Sequence, residues 1–258
     1  MTHLSKIQEQ FTRQGEAYKR LAYVADESGL RRVVALSQVK PLERVVDFAC
    51  GPGYLTMAFA AAAAEAVGVD ATETFLEGAR AEAAQRNIGN IRFLQGDVSS
   101  TSLDPGEFHL AVCRAAFHHF EEPGKVLAEM CRVTRPDGRL LVLDMLASEV
   151  GAQAEEHNRI ERLCDPTHVR ALAESEFNAL FDSQGLEPVY TGHGETGYTL
   201  DEWIAHGGPP PPPEKEIRMA MARSEAHDAT GLRIWRVNGA IHFCHLGAAF
   251  LLKKRGAQ

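Results

Sequence analysis

The stretch Arg44-Val45-Val46-Asp47-Phe48-Ala49-Cys50-Gly51-Pro52-Gly53 decides how the rest of the chain is read. Residues 45–49 are short and β-leaning, with Asp47 interrupting the apolar run near its end. A Gly-Pro-Gly turn follows, and residues 55–65 read as an alanine-rich helix. Strand, glycine turn and helix form the opening unit of a doubly wound α/β sheet, where ligands sit beyond the carboxyl ends of the strands. Gly51 and Gly53 carry no side chains, so a ligand can touch the backbone there, beside the free N–H groups of a helix N-terminus.

The details of the turn discriminate among cofactors. A dinucleotide fingerprint needs a third glycine, which would fall on Thr56 counting from Gly51 or on Tyr54 counting from Ala49. No Gly-Lys-Ser/Thr follows, so a P-loop fails as well. A nucleoside ligand without phosphates suits the turn; a plain strand-to-helix link is the bland alternative.

The 258 residues suit one large α/β domain with a lid. Hydrophobic residues make up 45% and charged residues 24%, as in ordinary soluble globular chains. A net charge of −8 argues against a nucleic-acid partner, whose phosphates are bound by clustered Lys and Arg. The five cysteines, at 50, 113, 131, 164 and 244, include no C-x-x-C pair, so reduced thiols are expected and no metal site. Residues 1–11 lack a signal-peptide core, and the longest small apolar run, 57–64, is too short to span a bilayer. The expectation is a cytoplasmic protein, monomer or homodimer, with no membrane span.

Residues 1–40 read as two helices: Ile7, Phe11, Tyr18 and Leu21 share a face of the first, and 27–37 forms the second. Strands follow at 45–49, 66–69, 91–94, 108–113 and 139–145, with helices at 74–86 and 123–133. The fourth strand is nearly continuous in apolar residues, as a strand buried on both faces requires. Beyond it, 150–163 reads as a polar helix with Glu155, Glu156, Arg159, Glu161 and Arg162 on a solvated face. A core-packing helix at 174–184, a sixth strand at 186–190 and an excursion containing Trp203 come next. Pro209–Pro213 reads as a polyproline II spacer. Asn238-Gly239 marks a hairpin between 234–237 and a final strand at 241–252, expected to be antiparallel at the sheet edge.

Asp47, Asp70 and Asp97 sit at the ends of the first three strands, on one rim, so their carboxylates are expected to converge on a single cleft. A carboxylate about 20 residues after the glycine turn is placed to accept from ribose hydroxyls, which fits Asp70. Asp97, one strand further, is placed to accept from an exocyclic amine.

These residues resemble a known family. The opening stretch, Gly68-Val69-Asp70 and Gly96-Asp97 are similar to the cofactor motifs of class I S-adenosylmethionine-dependent methyltransferases. Cys113 to Phe120, Arg135-Pro136-Asp137-Gly138 and the stretch from Cys164 to Arg170 are similar to the UbiE/Coq5-like (methyltransferase type 11) branch. The resemblance runs from about residue 7 to 255. It implies a Rossmann-like seven-stranded sheet with an antiparallel last strand. It also implies a helical lid at 1–40 and a methyltransferase domain at 41–258, with a helical insertion at about 195–230. S-adenosyl-L-methionine is the implied cofactor, with Ala49, Gly51 and Gly53 on its methionine moiety, Asp47 beneath it, Asp70 on the ribose and Asp97-Val98 on the adenine. Arg114 borders the methyl-transfer centre. One departure is mild: Ala49 stands where the family has its first glycine.

Methyl transfer is an in-line displacement in which the cofactor brings the electrophile and the protein positions and polarises. An oxygen or protonated-amine acceptor must lose a proton, and a histidine is the natural base. His118, His119 and His168 are the candidates, with Tyr18, His118, His168 and Arg170 as substrate contacts and Tyr18 and Phe11 closing the site. The bland alternative has one histidine capping a helix and another bonded to Asp165; Arg114 and Asp165 fit a structural salt bridge equally well. The expected function is C-, O- or N-methylation of a quinone-like or secondary metabolite. The alternative is a protein that binds the cofactor and promotes a rearrangement or serves a regulatory role. A nucleic-acid methyltransferase is disfavoured, because Arg114-Ala115-Ala116-Phe117 replaces an Asn/Asp-Pro-Pro-aromatic motif.

Overall fold

The computed structural model describes residues 2–19, 26–207 and 213–256. Two helices, α1 (His3–Lys19) and α2 (Glu27–Leu36), precede β1 (Arg44–Phe48). Alternation then runs α3 (Tyr54–Ala60), β2 (Glu65–Asp70), α4 (Glu73–Gln85), β3 (Ile91–Gln95), β4 (Phe108–Arg114), α5 (Pro123–Val133) and β5 (Thr134–Met145). The C-terminal part adds α6 (Gly151–Cys164), α7 (Glu174–Ser183), β6 (Leu186–Thr199), α8 (Leu200–His206), α9 (Glu214–His227), β7 (Arg233–Val237) and β8 (Ala240–Lys254). Leu21 and the proline run up to Pro212 lie outside the described residues, as does the side chain of Tyr18.

The eight-stranded sheet has the order β3-β2-β1-β4-β5-β8-β6, with β7 paired to β8. The first five strands are parallel, and β8 runs antiparallel to β5, β6 and β7. Side chains on β1 alternate between two cores. Val46 and Phe48 face the helices that carry Leu127, Met130, Phe177 and Phe181, while Val45 faces Leu30, Leu55 and Phe59. Each such fully buried side chain contributes about 1.5–3 kcal/mol, and burial on both faces explains the unbroken apolar run of β4. The strand order reverses between β1 and β4, which opens the crevice where a ligand sits.

Several boundaries differ from the sequence reading. The alanine-rich helix stops at Ala60 rather than 65, although alanine favours continuation. The Asn90 amide donates to the carbonyls of Ala60, Ala63 and Ala64 and so caps the chain early. The last strand does not lie at the edge: β8 is inserted between β5 and β6, and β6 extends to Thr199 because it pairs along nearly all of β8. The Asn238-Gly239 turn is as expected, with φ of 51° and 84°, the left-handed pair that a tight hairpin requires. Glu161 leaves the solvated face assigned to it and is buried at 6% exposure, whereas Glu155 and Arg162 are exposed.

Gly53, at the turn, is one of the glycines the fold cannot readily exchange. Its φ is +77°, and a Cβ there would fall 2.6 Å from the Phe93 ring and 2.9 Å from Ala79. Gly53→Ala is expected to destabilise by about 2–4 kcal/mol, the left-handed cost plus overpacking. Gly89→Ala, with nothing within 4 Å, is expected to stay within about 0.5 kcal/mol. Urea midpoints of the two variants check both.

Candidate active site

Thr56 occupies the place where a dinucleotide fold has its third glycine, and its hydroxyl donates to Asp47 Oδ2 at 2.7 Å. Asp47 is buried, 2% exposed. Burial raises its pKa to about 7, against the opposing pull of Thr56 and the Arg114 guanidinium. One strand over, the Asp70 carboxylate accepts from the backbone N–H of Gly51 at 2.8 Å and of Thr72 at 2.8 Å. Burial pushes its pKa up, and those N–H groups hold part of the rise in check. The chain beyond β1 is thus bent by a carboxylate from β2. Ala49 with φ +55° and Gly51 with φ +52° take the left-handed conformations that the bend needs.

A cavity of about 210 Å³ lies over this turn. Ala49, Gly51, Asp70, Asp97, Val98 and His119 line it, together with Ala115 and Ala116 after β4. Its described lining holds four carboxylates, Asp70, Asp97, Glu121 and Glu122, and no Lys or Arg. Such a wall favours a cationic nucleoside and disfavours a pyrophosphate. Asp97 is exposed to the cavity, its Oδ1 held by the Ser99 N–H at 2.8 Å. Asp47, Gly53 and Arg114 do not line it: Asp47 and Arg114 lie beneath, near one another, and Gly53 faces Phe93 and Ala79.

Helix α1 covers the cavity, with His3, Leu4, Ile7 and Phe11 on its wall. His3 Nε2 donates to the His119 carbonyl at 2.8 Å, and Gln8 to the Ala71 carbonyl at 2.9 Å. The Phe11 ring packs edge-on against His119 at 5.4 Å.

The three candidate histidines come together, with ring centroids 4.2 Å apart for His118 and His119, 5.5 Å for His118 and His168, and 6.4 Å for His119 and His168. A short 3-10 turn, Phe117–His119, carries the first two. The segment after α6 docks there through the N–H groups of Val169 and Arg170, which donate to the His118 carbonyl. Their environments then separate them. His118 Nδ1 meets Asp144 Oδ1 at 2.6 Å, while Asp144 Oδ2 accepts from the N–H of Ala116 and of Phe117. Burial alone would lower the His118 pKa, but Asp144 reverses the effect and raises it. His119, bonded through Nδ1 to the Thr167 carbonyl, is lowered to about 4 by burial and by His118. His168 Nε2 donates to Asn158 Oδ1 at 2.7 Å, and burial drives its pKa well down. The His168 backbone N–H donates to the Asp165 carbonyl at 3.0 Å, while the Asp165 carboxylate accepts from Thr167. Arg170 is exposed and paired with Glu176 at 2.6 Å, away from the cavity wall.

Asp144 is the residue that sequence reasoning missed. The signal was present, because Asp144 ends β5 on the same rim as Asp47 and Asp70.

A doubly wound sheet with an antiparallel C-terminal strand and an acid-walled nucleoside crevice defines a class I S-adenosylmethionine-binding enzyme. The methyltransferase-domain family model matches residues 40–189. The chain belongs to that family and is an S-adenosylmethionine-dependent methyltransferase. It is 32% identical over 236 residues to an uncharacterized methyltransferase, YcgJ, of Bacillus subtilis, covering 91% of this chain and 93% of that one. The crystal structure of YcgJ superposes with a TM-score of 0.77 over 88% of this chain and 98% of that one, at 31% identity. A demethylmenaquinone methyltransferase of Thermus thermophilus is 34% identical over 134 residues, 51% of this chain and 60% of its own. The same fold is seen in a methyltransferase from Geobacter sulfurreducens in complex with S-adenosyl-L-homocysteine, with a TM-score of 0.60, 19% identity, and 96% and 98% of the two chains covered.

Asp47 gives a test that needs no substrate. Its pKa rises from 3.8 to about 7 on folding, so the fold binds more protons than the unfolded chain in that window. The stability it contributes is full below the lower value and is lost as pH rises through the upper one. Asp47→Asn is expected to gain stability relative to the cofactor-free parent as pH rises from about 4 to about 7. A pH-independent difference in urea midpoints would show that Asp47 titrates normally.

Proposed function

We propose that the enzyme methylates a small molecule whose acceptor atom must shed a proton, a phenolic or enolic hydroxyl or the carbon of an enolisable ring. His118 serves as base and Asp144 as its orienting partner. The observation that carries this reading is the 2.6 Å contact between Asp144 and His118 Nδ1, on the turn whose neighbours Ala115, Ala116 and His119 line the cofactor cavity. Asp144 fixes the proton on Nδ1 and leaves Nε2 as the basic nitrogen, the arrangement that orients an imidazole for proton transfer. The likeness to a demethylmenaquinone methyltransferase supports a quinone-like or related aromatic acceptor.

A bound S-adenosylmethionine would supply an electrophilic sulfonium methyl group. In this reading Asp70 holds the ribose hydroxyls, Asp97 and Val98 the adenine, and Ala49 and Gly51 let the methionine end approach the backbone. Asp47 and Arg114 support the floor. Helix α1, through Phe11, excludes water during transfer, with residues 1–40 as the covering unit and 41–258 as the catalytic domain. His119, which lines the cavity, and His168, buried behind it, have lowered pKa values and stay neutral. A cytoplasmic setting goes with five cysteines that stand as free thiols.

Purified protein incubated with methyl-labelled cofactor and a panel of phenols, quinols, β-dicarbonyls and amines tests the reading. Labelled product with release of S-adenosylhomocysteine is expected, and tight binding without turnover on any acceptor favours the binding-only alternative. With an acceptor in hand, His118→Gln is expected to lower kcat about a hundredfold, with cofactor affinity within about threefold of the parent. The rate should rise with pH through an ionisation above the ordinary histidine value. Asp144→Asn should move that ionisation to lower pH, and an unmoved profile would remove His118 from the base role.

A further inference from the structure

Helix α6 turns two titratable side chains inward from one face. His157 and Glu161 stand at i and i+4, so they are neighbours on the helix surface, and both are buried, at 1% and 6% exposure. Strand β8 brings the buried His245 against them. His245 Nε2 lies 2.7 Å from Glu161 Oε1, and His157 Nε2 lies 3.4 Å from the same oxygen. The three ligand-type atoms all fall within 4.8 Å of one another. None of these residues lines the cofactor cavity, and the proposed methyl transfer uses none of them.

An ordinary ion pair accounts for only part of this cluster. The short contact satisfies Glu161 and His245, but among the described residues the buried Nε2 of His157 has no hydrogen-bond partner. A buried polar atom left in that state calls for an explanation. Water is kept off by aromatic rings: those of Phe243, Tyr198 and Trp203 stand 5.2, 5.2 and 6.3 Å from the His245 ring. Two imidazole nitrogens and one carboxylate oxygen converging on a point, with the His157 Nε2 aimed in and held only by a long 3.4 Å contact to Glu161, form a cation-binding donor set. Two histidines with one carboxylate is a zinc set with an open fourth position. Two ligands at i and i+4 on a helix are a recurrent way of building one.

We propose that His157, Glu161 and His245 bind one divalent transition-metal ion of the zinc class through their two imidazole nitrogens and one carboxylate oxygen. The ion ties α6 to β8 beside the apolar cluster of Ile160, Leu200, Trp203, Ile217 and Phe243, which the C-terminal helices share. Cys164, one turn further along α6, is not the fourth ligand, because its Sγ is directed to the Trp203 carbonyl at 3.4 Å.

Full-length protein stripped with a chelator, then titrated with Zn²⁺ by calorimetry and with Co²⁺ by visible absorption, tests the proposal. The expected result is one equivalent per chain, the absorption of four-coordinate cobalt, and a higher thermal midpoint in excess zinc. His157→Ala and the better-filling His157→Gln should each weaken binding by more than about a hundredfold. His193→Ala, at an exposed histidine paired with Glu174, should leave it unchanged. Retained binding of S-adenosylhomocysteine certifies that each variant is folded. Absence of stoichiometric binding by the parent, or equal binding by parent and a folded His157 variant, overturns the proposal whatever the methyl acceptor proves to be.

Discussion

Two carboxylates buried at the carboxyl ends of neighbouring parallel strands hold the turn on which everything else depends. Asp70 pulls the Gly51 N–H across from β1 to β2, and Asp47 anchors the start of α3 through Thr56. Register makes this possible, since Asp47 pairs with Gly68 and Phe48 with Val69, placing both carboxylates on one rim. Burying two acids side by side is costly, and their raised pKa values record that cost. A positively charged ligand over the turn offsets it, which a dinucleotide with its own negative charge would not. The electrostatics of the floor and the missing third glycine therefore select the same cofactor.

The neighbouring imidazoles show how environment separates chemically identical groups. His118 and His119 are adjacent in sequence and nearly in ring contact, yet one is raised by Asp144 and the other lowered by burial and by its neighbour. Divergent pKa values within one cluster are what the proposed division of acid–base roles rests on. Asp144 achieves the separation economically: one oxygen fixes the backbone of the turn and the other fixes the ring it carries.

What was legible in the sequence was what is encoded locally. The β1 turn, the three aspartates at strand ends and the Asn238-Gly239 hairpin are written in contiguous residues, and the structure has them. The position of β8 was not legible, because a strand inserted between β5 and β6 has the same apolar pattern as one at the edge. Nor was the burial of Glu161, whose partner His245 is 84 residues away; a Glu on a charged helix reads as solvated until the strand that covers it is known. The early end of α3 likewise hangs on Asn90, thirty residues beyond the helix it caps. Asp144 differs from these, since its position at a strand end was readable and only its partner was not.

The N-terminal helix is fastened at its first residue and again near its middle. His3 holds the carbonyl of His119 beside the cavity, and the buried Gln10 holds the carbonyl of Gly207 at the end of α8. A segment stapled to both the histidine turn and the C-terminal excursion cannot swing aside without releasing each. Uncovering the cavity therefore costs a hydrogen bond to the C-terminal excursion as well as one to the histidine turn.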